Sequence, residues 1–394
     1  MRAAILTAGC RLNQAESDAL AGRLAGQGYE LVPDPASADV CLINTCAVTQ
    51  AAERTSVQLV RQTARLSPKP RIIVTGCLVQ HRPEKVRMIG GVDEVWSNER
   101  KQAELAMPVP MRTRPLVKVQ DGCDCGCAYC VVSGLRGTPR SVPVEEVLGQ
   151  VRTLAAQGYP ELVFTGLNLG RYDSGGVNLA GLLKAALECG GFRLRLGSLE
   201  PDTVSDALIG QLADERIVPH LHLALQTGSD QLLSAMGRGY DASGFLDLVR
   251  RIRRVKPDVN LGCDVIAGLP GEDEEAFART CGLLSDVAPG YLHVFPYSAR
   301  PGTKAAAMPG QLDYHVKKRR AEALRRLSAV FRAAYVRRFV GSTRKAVVET
   351  KDSALTDNYL RLALWSGCGL APRTLVDMVI SEARGRLVGT PAAQ

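Results

Sequence analysis

The chain has 394 residues, 46% hydrophobic and 23% charged, with a formal net charge of +9. That length predicts two or three domains with ample material for a large core. No apolar run approaches the ~20 residues of a membrane span, which excludes a helical membrane protein. The start, Met-Arg-Ala-Ala-Ile-Leu-Thr-Ala-Gly-Cys10, runs straight into a strand, so no secretory signal is expected. Twelve cysteines, in a chain expected to be intracellular and cytoplasmic, read as metal ligands and buried thiols, not as a disulfide framework.

Three short apolar runs come first, each ending on a cysteine: Ala-Ile-Leu-Thr-Ala-Gly-Cys10, Val-Cys-Leu-Ile-Asn-Thr-Cys46 and Ile-Ile-Val-Thr-Gly-Cys77. Such runs read as buried strands. Helical segments at Glu16 to Gln27 and Thr49 to Ala64 alternate with them, so residues up to 107 predict a parallel α/β layer. In an open parallel sheet the carboxyl ends of the strands converge on one edge, where ligands bind. Cys10, Cys46 and Cys77 can therefore meet in space. Singly, each would read as a small buried hydrophobe.

Pro108, Pro110 and Pro115 mark a linker. After a strand expected at Leu116 to Gln120 comes a compact run, Cys123-x3-Cys127-x2-Cys130. Structural zinc usually takes four protein ligands, whereas an iron–sulfur cube held by three cysteines keeps one iron free for another ligand. Two sets of three point to two reactive clusters, with a zinc knuckle as the alternative for the compact set. Cys125 reads as a spectator thiol, open to misligation or a disulfide. Cys41, Cys189, Cys263, Cys281 and Cys368 have no motif partners and read as core.

Strands are expected next at Glu161 to Thr165, Phe192 to Ser198, His220 to Leu225, Asn260 to Ile266 and Tyr291 to Pro296. Helices at Val144 to Gln157, Ala242 to Arg254 and Glu274 to Ser285 fit between them, and together they predict a β/α barrel. Its ligand contacts should lie at strand carboxyl ends, in loops such as Gly166–Gly170, Gln226–Ser229 and Gly268–Glu272. His220, His222 and His293 alternate into strands and read as packed imidazoles rather than metal ligands. From Lys317 to Lys345, eleven Lys or Arg stand against Glu322 alone. Nucleic acid is the natural partner for such a helix, and a solvated face is the alternative. Leu324, Leu327, Phe331 and Ala334 recur at helical spacing and mark its core side. Beyond about residue 340, strands at Lys345 to Thr350, Tyr359 to Trp365 and Leu375 to Ser381 predict a small all-β barrel.

At these residues the chain resembles the methylthiotransferases of the radical S-adenosylmethionine (SAM) superfamily, over nearly its whole length. The matching motifs include Thr7-Ala-Gly-Cys10-Arg-Leu-Asn-Gln14, Asn44-Thr-Cys46-Ala-Val-Thr49, Thr75-Gly-Cys77 and the Cys123/Cys127/Cys130 run. Further along come Leu221-His-Leu-Ala-Leu-Gln-Thr-Gly-Ser-Asp230, Asp264-Val-Ile-Ala-Gly-Leu-Pro-Gly-Glu272 and His293-Val-Phe-Pro-Tyr-Ser-Ala-Arg-Pro-Gly-Thr303. The resemblance implies three domains: an amino-terminal methylthiotransferase domain at 1–107, a radical SAM core at 108–338 and a TRAM-like RNA-binding barrel at 339–394. It implies that Cys123, Cys127 and Cys130 hold a 4Fe–4S cluster that binds SAM and cleaves it to a 5′-deoxyadenosyl radical. Cys10, Cys46 and Cys77 would hold an auxiliary 4Fe–4S cluster that carries or delivers sulfur, and a second SAM would give the methyl group.

The Asn-Thr-Cys-Ala-Val-Thr and His-Val-Phe-Pro-Tyr-Ser stretches look most like the subgroup acting on N6-threonylcarbamoyladenosine in tRNA. The alternatives are another tRNA adenosine, of the isopentenyl type, or an aspartate of a ribosomal protein. A non-enzymatic iron–sulfur or zinc RNA-binding protein would need none of the SAM loops. The resemblance implies a flavodoxin- or ferredoxin-like electron donor and leaves the sulfur source open. Gly166, Asn168, Glu200, Gln226, Arg238 and Asp264 are its candidate cofactor contacts. Plain loop geometry is the competing reading for Gly166 and Asn168, and turn capping for Asp264 and Glu272. Lys317, Lys318, Arg319, Arg320, Arg325 and Arg326 are the candidate RNA contacts. Tyr359 would stack on a base or sit half-buried in a strand. The chain departs from the family at Val132-Ser-Gly-Leu135, where proline and an aromatic are usual, and at Ala224, where proline is usual.

Overall fold

In the computed structural model, which describes residues 1–365 and 367–392, the strand β3 (Val40–Thr45) is buried at all six positions. Burial on both faces is what a central parallel strand requires. β3 lies between β1 (Arg2–Thr7) and β4 (Arg71–Gly76), with β2 (Glu30–Leu31) and β5 (Glu94–Val95) at the edges. The order is β2-β1-β3-β4-β5 and every pairing is parallel. Helix α1 (Arg11–Gly26) begins at Arg11 rather than Glu16. Its first turn is fixed by polar bonds that apolar periodicity does not reveal: Asn13 Nδ2 donates to the carbonyls of Ala8 (3.0 Å) and Thr45 (2.9 Å). Helix α2 (Gln50–Ala64) starts under a Thr49 cap, whose hydroxyl accepts from the Ala52 amide.

A second parallel array follows in chain order: β6 (Leu116–Lys118), β7 (Glu161–Thr165), β8 (Arg193–Leu196, resuming as Ser198–Leu199), β9 (His220–Gln226), β10 (Asn260–Ala267) and β11 (Tyr291–Pro296). Helices Val144–Ala156, Leu179–Leu187, Ala242–Val255 and Glu274–Val287 connect these strands. β6 and β11 do not pair, so the barrel is partial. Side chains alternate along a strand, and in β9 the two sets differ in kind. Leu221, Leu223 and Leu225 join the main apolar core. His220, His222 and Gln226 take the other face, toward the barrel interior.

Helix α3 (Tyr314–Arg337) packs against β11. Leu324 is buried and Leu327 and Phe331 lean on the core as expected, but Ala334 is exposed and Tyr335 takes its place. The closing unit is a closed barrel of β12 (Thr343–Thr350), β13 (Ser353–Thr356), β14 (Arg361–Ala363), β15 (Leu375–Ala383) and β16 (Arg386–Pro391), in the order β12-β13-β14-β16-β15. The strand expected over Tyr359 to Trp365 shrinks to Arg361–Ala363, because Tyr359 sits in a turn with φ +67°. Cys41 and Cys263 are core residues, and Cys189, Cys281 and Cys368 pack against the cores. Among the described residues, no helix is long and apolar enough to cross a membrane.

A buried ion cluster ties this barrel to the rest. Glu161 is fully buried and accepts from Arg195 Nε and Arg193 Nε, both at 2.6 Å, and from Arg114 Nη1 at 3.3 Å. Burial alone would raise its pKa, but Arg195 and Arg193 hold it well below the usual carboxylate range. Arg193 and Arg195 also donate to the carbonyls of Lys345 and Thr356 in the terminal barrel. Glu161→Ala strands two buried guanidiniums and should lower stability by about 3–5 kcal/mol, read as a shift in the urea midpoint. A variant as stable as the parent would show that the cluster does not hold the barrel.

Candidate active site

The three dispersed cysteines stand at the carboxyl ends of three adjacent strands. Cys10 follows β1, Cys46 follows β3 directly and Cys77 follows β4, where it opens the short helix Cys77–His81. Asn44 pairs with Thr75 and Thr45 with Gly76, so the register sets Cys46 beside Cys77. Two glycines make the approach possible. A Cβ on Gly9 (φ +122°) would come within 2.9 Å of the Cys46 Cβ, and one on Gly76 (φ +100°) would overlap the Thr45 backbone. Cys46 and Cys77 are buried and Cys10 is exposed. Burial pushes the Cys46 thiol up to about 11, and the neighbouring Cys77 and Cys10 thiols add to that rise. The three thiols are thus close enough to feel one another's charge at the sheet edge.

The compact set lies on one loop between the short strand Gln120–Asp121 and the helix Val132–Arg136. The Cys130 amide donates to the Cys127 carbonyl at 3.0 Å, and the Val132 amide points at Cys130 Sγ at 3.4 Å. Arg238 Nη1 donates to Cys127 Sγ at 3.1 Å. A hydrogen bond from the Cys125 thiol lowers the Cys123 pKa to about 6. Cys125 also receives Asn168 Nδ2 at 3.2 Å. It is thus in contact with the ligand set rather than remote from it.

One cavity lies between the two cysteine-bearing segments, with Cys130 in its wall. Its lining includes Val48 and Thr49, just after Cys46, and Tyr129 to Val132, around Cys130. Gln226, Asp264, Ile266 and Phe295 to Ser298 complete the wall from the ends of β9, β10 and β11. Of the candidate cofactor contacts, Gln226 and Asp264 reach this cavity. Gln226 is held there with φ +69°, an uncommon conformation for a residue other than glycine. Asn168 is buried beside Cys125, and its Oδ1 has no hydrogen-bond partner. A Cβ on Gly166 would stand 3.0 Å from the Gln120 side chain, so its smallness lets Gln120 Oε1 reach the Asn168 amide at 2.7 Å. Glu200 and Arg238 form a direct ion pair, and Arg238 further donates to Tyr240 Oη and the Ala224 carbonyl. Glu272 lies outside the cavity lining, accepting from the Gly268 amide and facing Arg320.

A buried charge network connects the two cysteine segments, and nothing in the motifs announced it. Arg136 Nη1 donates to Glu16 at 2.7 Å and to Asp121 at 3.1 Å, while Nη2 donates to Asn13 Oδ1. Lys101 reaches Glu16 at 2.6 Å and Lys118 reaches Asp121 at 2.8 Å. Burial opposes the charge on Glu16, yet Lys101, Arg136 and Lys118 hold its carboxyl well below the ordinary range. Asp121 precedes Cys123 and Arg136 follows Cys130, so the network anchors the compact loop to α1. Arg136 and Lys101 also lie within electrostatic reach of Cys77.

The structure divides the basic residues of α3. Lys318, Arg319, Arg325 and Arg326 are exposed. Arg320 is buried against Glu272 and Glu274 and is withdrawn from any RNA-facing surface. Lys317 is half-buried, its ammonium 5.1 Å from the ring of Tyr297 at the cavity. Tyr359 is committed elsewhere: it packs on His220 at 4.1 Å and its hydroxyl accepts from Arg11 at 2.9 Å, so base stacking would require undocking the terminal barrel.

Residues 2–97 match the uncharacterized protein family UPF0004, and residues 117–284 match the radical SAM superfamily. The threonylcarbamoyladenosine tRNA methylthiotransferase MtaB of Aquifex aeolicus (strain VF5) is 34% identical, covering 91% of this chain and 96% of its own. A tRNA-2-methylthio-N(6)-dimethylallyladenosine synthase of Syntrophomonas wolfei is 31% identical over 96% and 95%. The ribosomal protein uS12 methylthiotransferase RimO of Anaeromyxobacter sp. (strain K) is 34% identical over 87% and 80%. Among solved structures, the radical SAM methyltransferase TsrM from Kitasatospora setae superposes with a TM-score of 0.58 at 15% identity over 77% of each chain, a likeness of fold.

Proposed function

We infer the function from one premise: the chain belongs to the radical SAM methylthiotransferase family. Its reaction adds a methylthio group to C2 of N6-threonylcarbamoyladenosine in tRNA. Relatives named for that activity recur at 31–36% identity over most of the chain. The observation that carries the reading is a cavity walled on one side by Cys130 and its loop and on the other by Val48 and Thr49, just past Cys46.

The residues fit two iron–sulfur clusters. Each site offers three sulfur donors, the ligand type that such clusters take. The cations Arg136 and Lys101 near Cys77, and Arg238 on Cys127, would offset the negative charge of cluster-bound thiolates. Cys123, Cys127 and Cys130 would hold one cluster, which would supply the electron for cleaving SAM, and Cys10, Cys46 and Cys77 would hold the other, which would supply sulfur. The rest falls to the chain. Arg238 and Glu200 fix the compact loop against β9. Asn168 Oδ1, beside Cys125, and Gln226, on the cavity wall, would meet SAM, and Asp264 faces that cavity. Val48, Val131, Ile266 and Phe295 exclude water from the radical step. A nucleobase in the cavity would touch both cysteine segments at once. A flavodoxin- or ferredoxin-like donor and a cytoplasmic location complete the proposal.

Lys318, Arg319, Arg325 and Arg326 would grip tRNA phosphates, and the terminal barrel beside them would extend that surface. Charge reversal at Lys318, Arg325 and Arg326 should weaken tRNA binding and flatten the slope of log K against log salt by about 2. An unchanged slope, measured by fluorescence anisotropy, would place the RNA elsewhere. Anaerobic reconstitution tests the cluster assignment: about eight irons per chain are expected. About four irons, or bound zinc instead, would contradict it.

A further inference from the structure

At the cavity wall, β9, β10 and β11 bring together a cluster to which the mechanism assigns no step. His222 on β9, Asp264 on β10 and His293 on β11 present ligand atoms that all lie within 4.8 Å of one another. Asp264 Oδ1 is 2.9 Å from His222 Nε2 and 3.4 Å from His293 Nδ1. The strand register builds this: Asp264 pairs with His293, and His222 with Gly262, whose missing side chain leaves room for the imidazole and Tyr291.

An ordinary ion pair would point an imidazole N–H at the carboxylate. Here two imidazoles, His222 (3% exposed) and His293, face the same carboxylate oxygen, which is more than one ion pair requires. Two imidazoles converge on one oxygen at spacings that ligands about 2.0–2.2 Å from a shared ion would adopt. Tyr291 Oη, 3.1 Å from His222 Nδ1 and 2.9 Å from His220 Nε2, fixes the ring from behind, as outer-shell partners of metal-binding histidines do.

We propose that His222, Asp264 and His293 bind one divalent transition-metal ion, separate from the cysteine sites. Two histidines and one carboxylate leave coordination positions open. Those positions face the cavity: Asp264 lines it, and His293 is exposed on the same face of β11 as Phe295, which also lines it. Resting on the substrate reading above, the ion takes oxygen donors from the threonylcarbamoyl arm, which carries a carboxylate and a carbonyl. The site thereby separates this adenosine from one bearing an apolar substituent.

Mn2+ is the probe, titrated into reconstituted protein and followed by electron paramagnetic resonance. One ion per chain should bind, and His222→Gln and half-exposed His293→Ala should each weaken it at least tenfold. Wild-type protein that leaves the Mn2+ signal free, or His293→Ala that binds as tightly as the parent, overturns the site. Added N6-threonylcarbamoyladenosine should alter the spectrum of bound Mn2+ and adenosine should not. An unaltered spectrum overturns the oxygen-donor assignment. The nucleosides made in cells test the substrate reading independently.

Discussion

Cys127→Ala should abolish reductive cleavage of SAM, leaving 5′-deoxyadenosine at background when the reconstituted protein is given dithionite. The cluster on the compact loop would lose one of three ligands and with it the geometry that holds SAM on a free iron. Iron should fall to about four per chain, because the auxiliary site on the amino-terminal sheet is untouched. The structure names the residue that could blunt the effect. Cys125 contacts Cys123 and receives Asn168, so a replacement ligand is at hand. Cys125→Ser alone should cleave SAM normally, and the Cys125→Ser/Cys127→Ala pair should be inactive. If Cys127→Ala cleaves SAM and the pair does not, Cys125 has stepped in; cleavage by the pair would remove the compact loop from the chemistry.

Cys46→Ala should behave differently. Cys46 ends the fully buried β3, and Ser56 holds its backbone at both amide and carbonyl, so the strand end keeps its shape without the sulfur. SAM cleavage should persist while the methylthio product disappears, with iron again near about four per chain. Chromatography of 5′-deoxyadenosine and mass spectrometry of the tRNA nucleosides separate the two outcomes. If Cys46→Ala and Cys127→Ala, each with its remaining cluster loaded, have the same phenotype, the division of labour between the sites is wrong.

The strand ends that carry Cys10, Cys46 and Cys77 were legible because periodicity marks them. A buried strand ending in cysteine, repeated three times, is readable as a sheet edge, and the observed register of β1, β3 and β4 delivers it. The barrel strands were readable for the same reason, since Glu161–Thr165 and Tyr291–Pro296 are continuous apolar or β-favouring runs. What was not legible depends on partners far apart in sequence. Glu16 meets Lys101 and Arg136 from 85 and 120 positions away, and nothing in local pattern reveals a buried charge that is paired. The burial of Arg320 follows from Glu272 and Glu274 across the barrel. In the terminal barrel, Ser353–Thr356 is short and only weakly β-favouring, and Tyr359 turns the chain where its aromatic neighbours suggested a strand. The His222–Asp264–His293 cluster had a faint signal. Each residue lies on the inward face of a neighbouring strand, but only register shows that they meet.

The central claim is the reaction on tRNA, and the nucleosides of a strain lacking this gene test it most directly. Mass spectrometry should show the 2-methylthio form of N6-threonylcarbamoyladenosine gone and its unmethylthiolated precursor accumulated, with restoration by the wild-type chain but by neither the Cys46→Ala nor the Cys127→Ala variant. Undiminished 2-methylthio-N6-threonylcarbamoyladenosine, with the methylthio group missing instead from a dimethylallyl adenosine or a ribosomal aspartate, would contradict it.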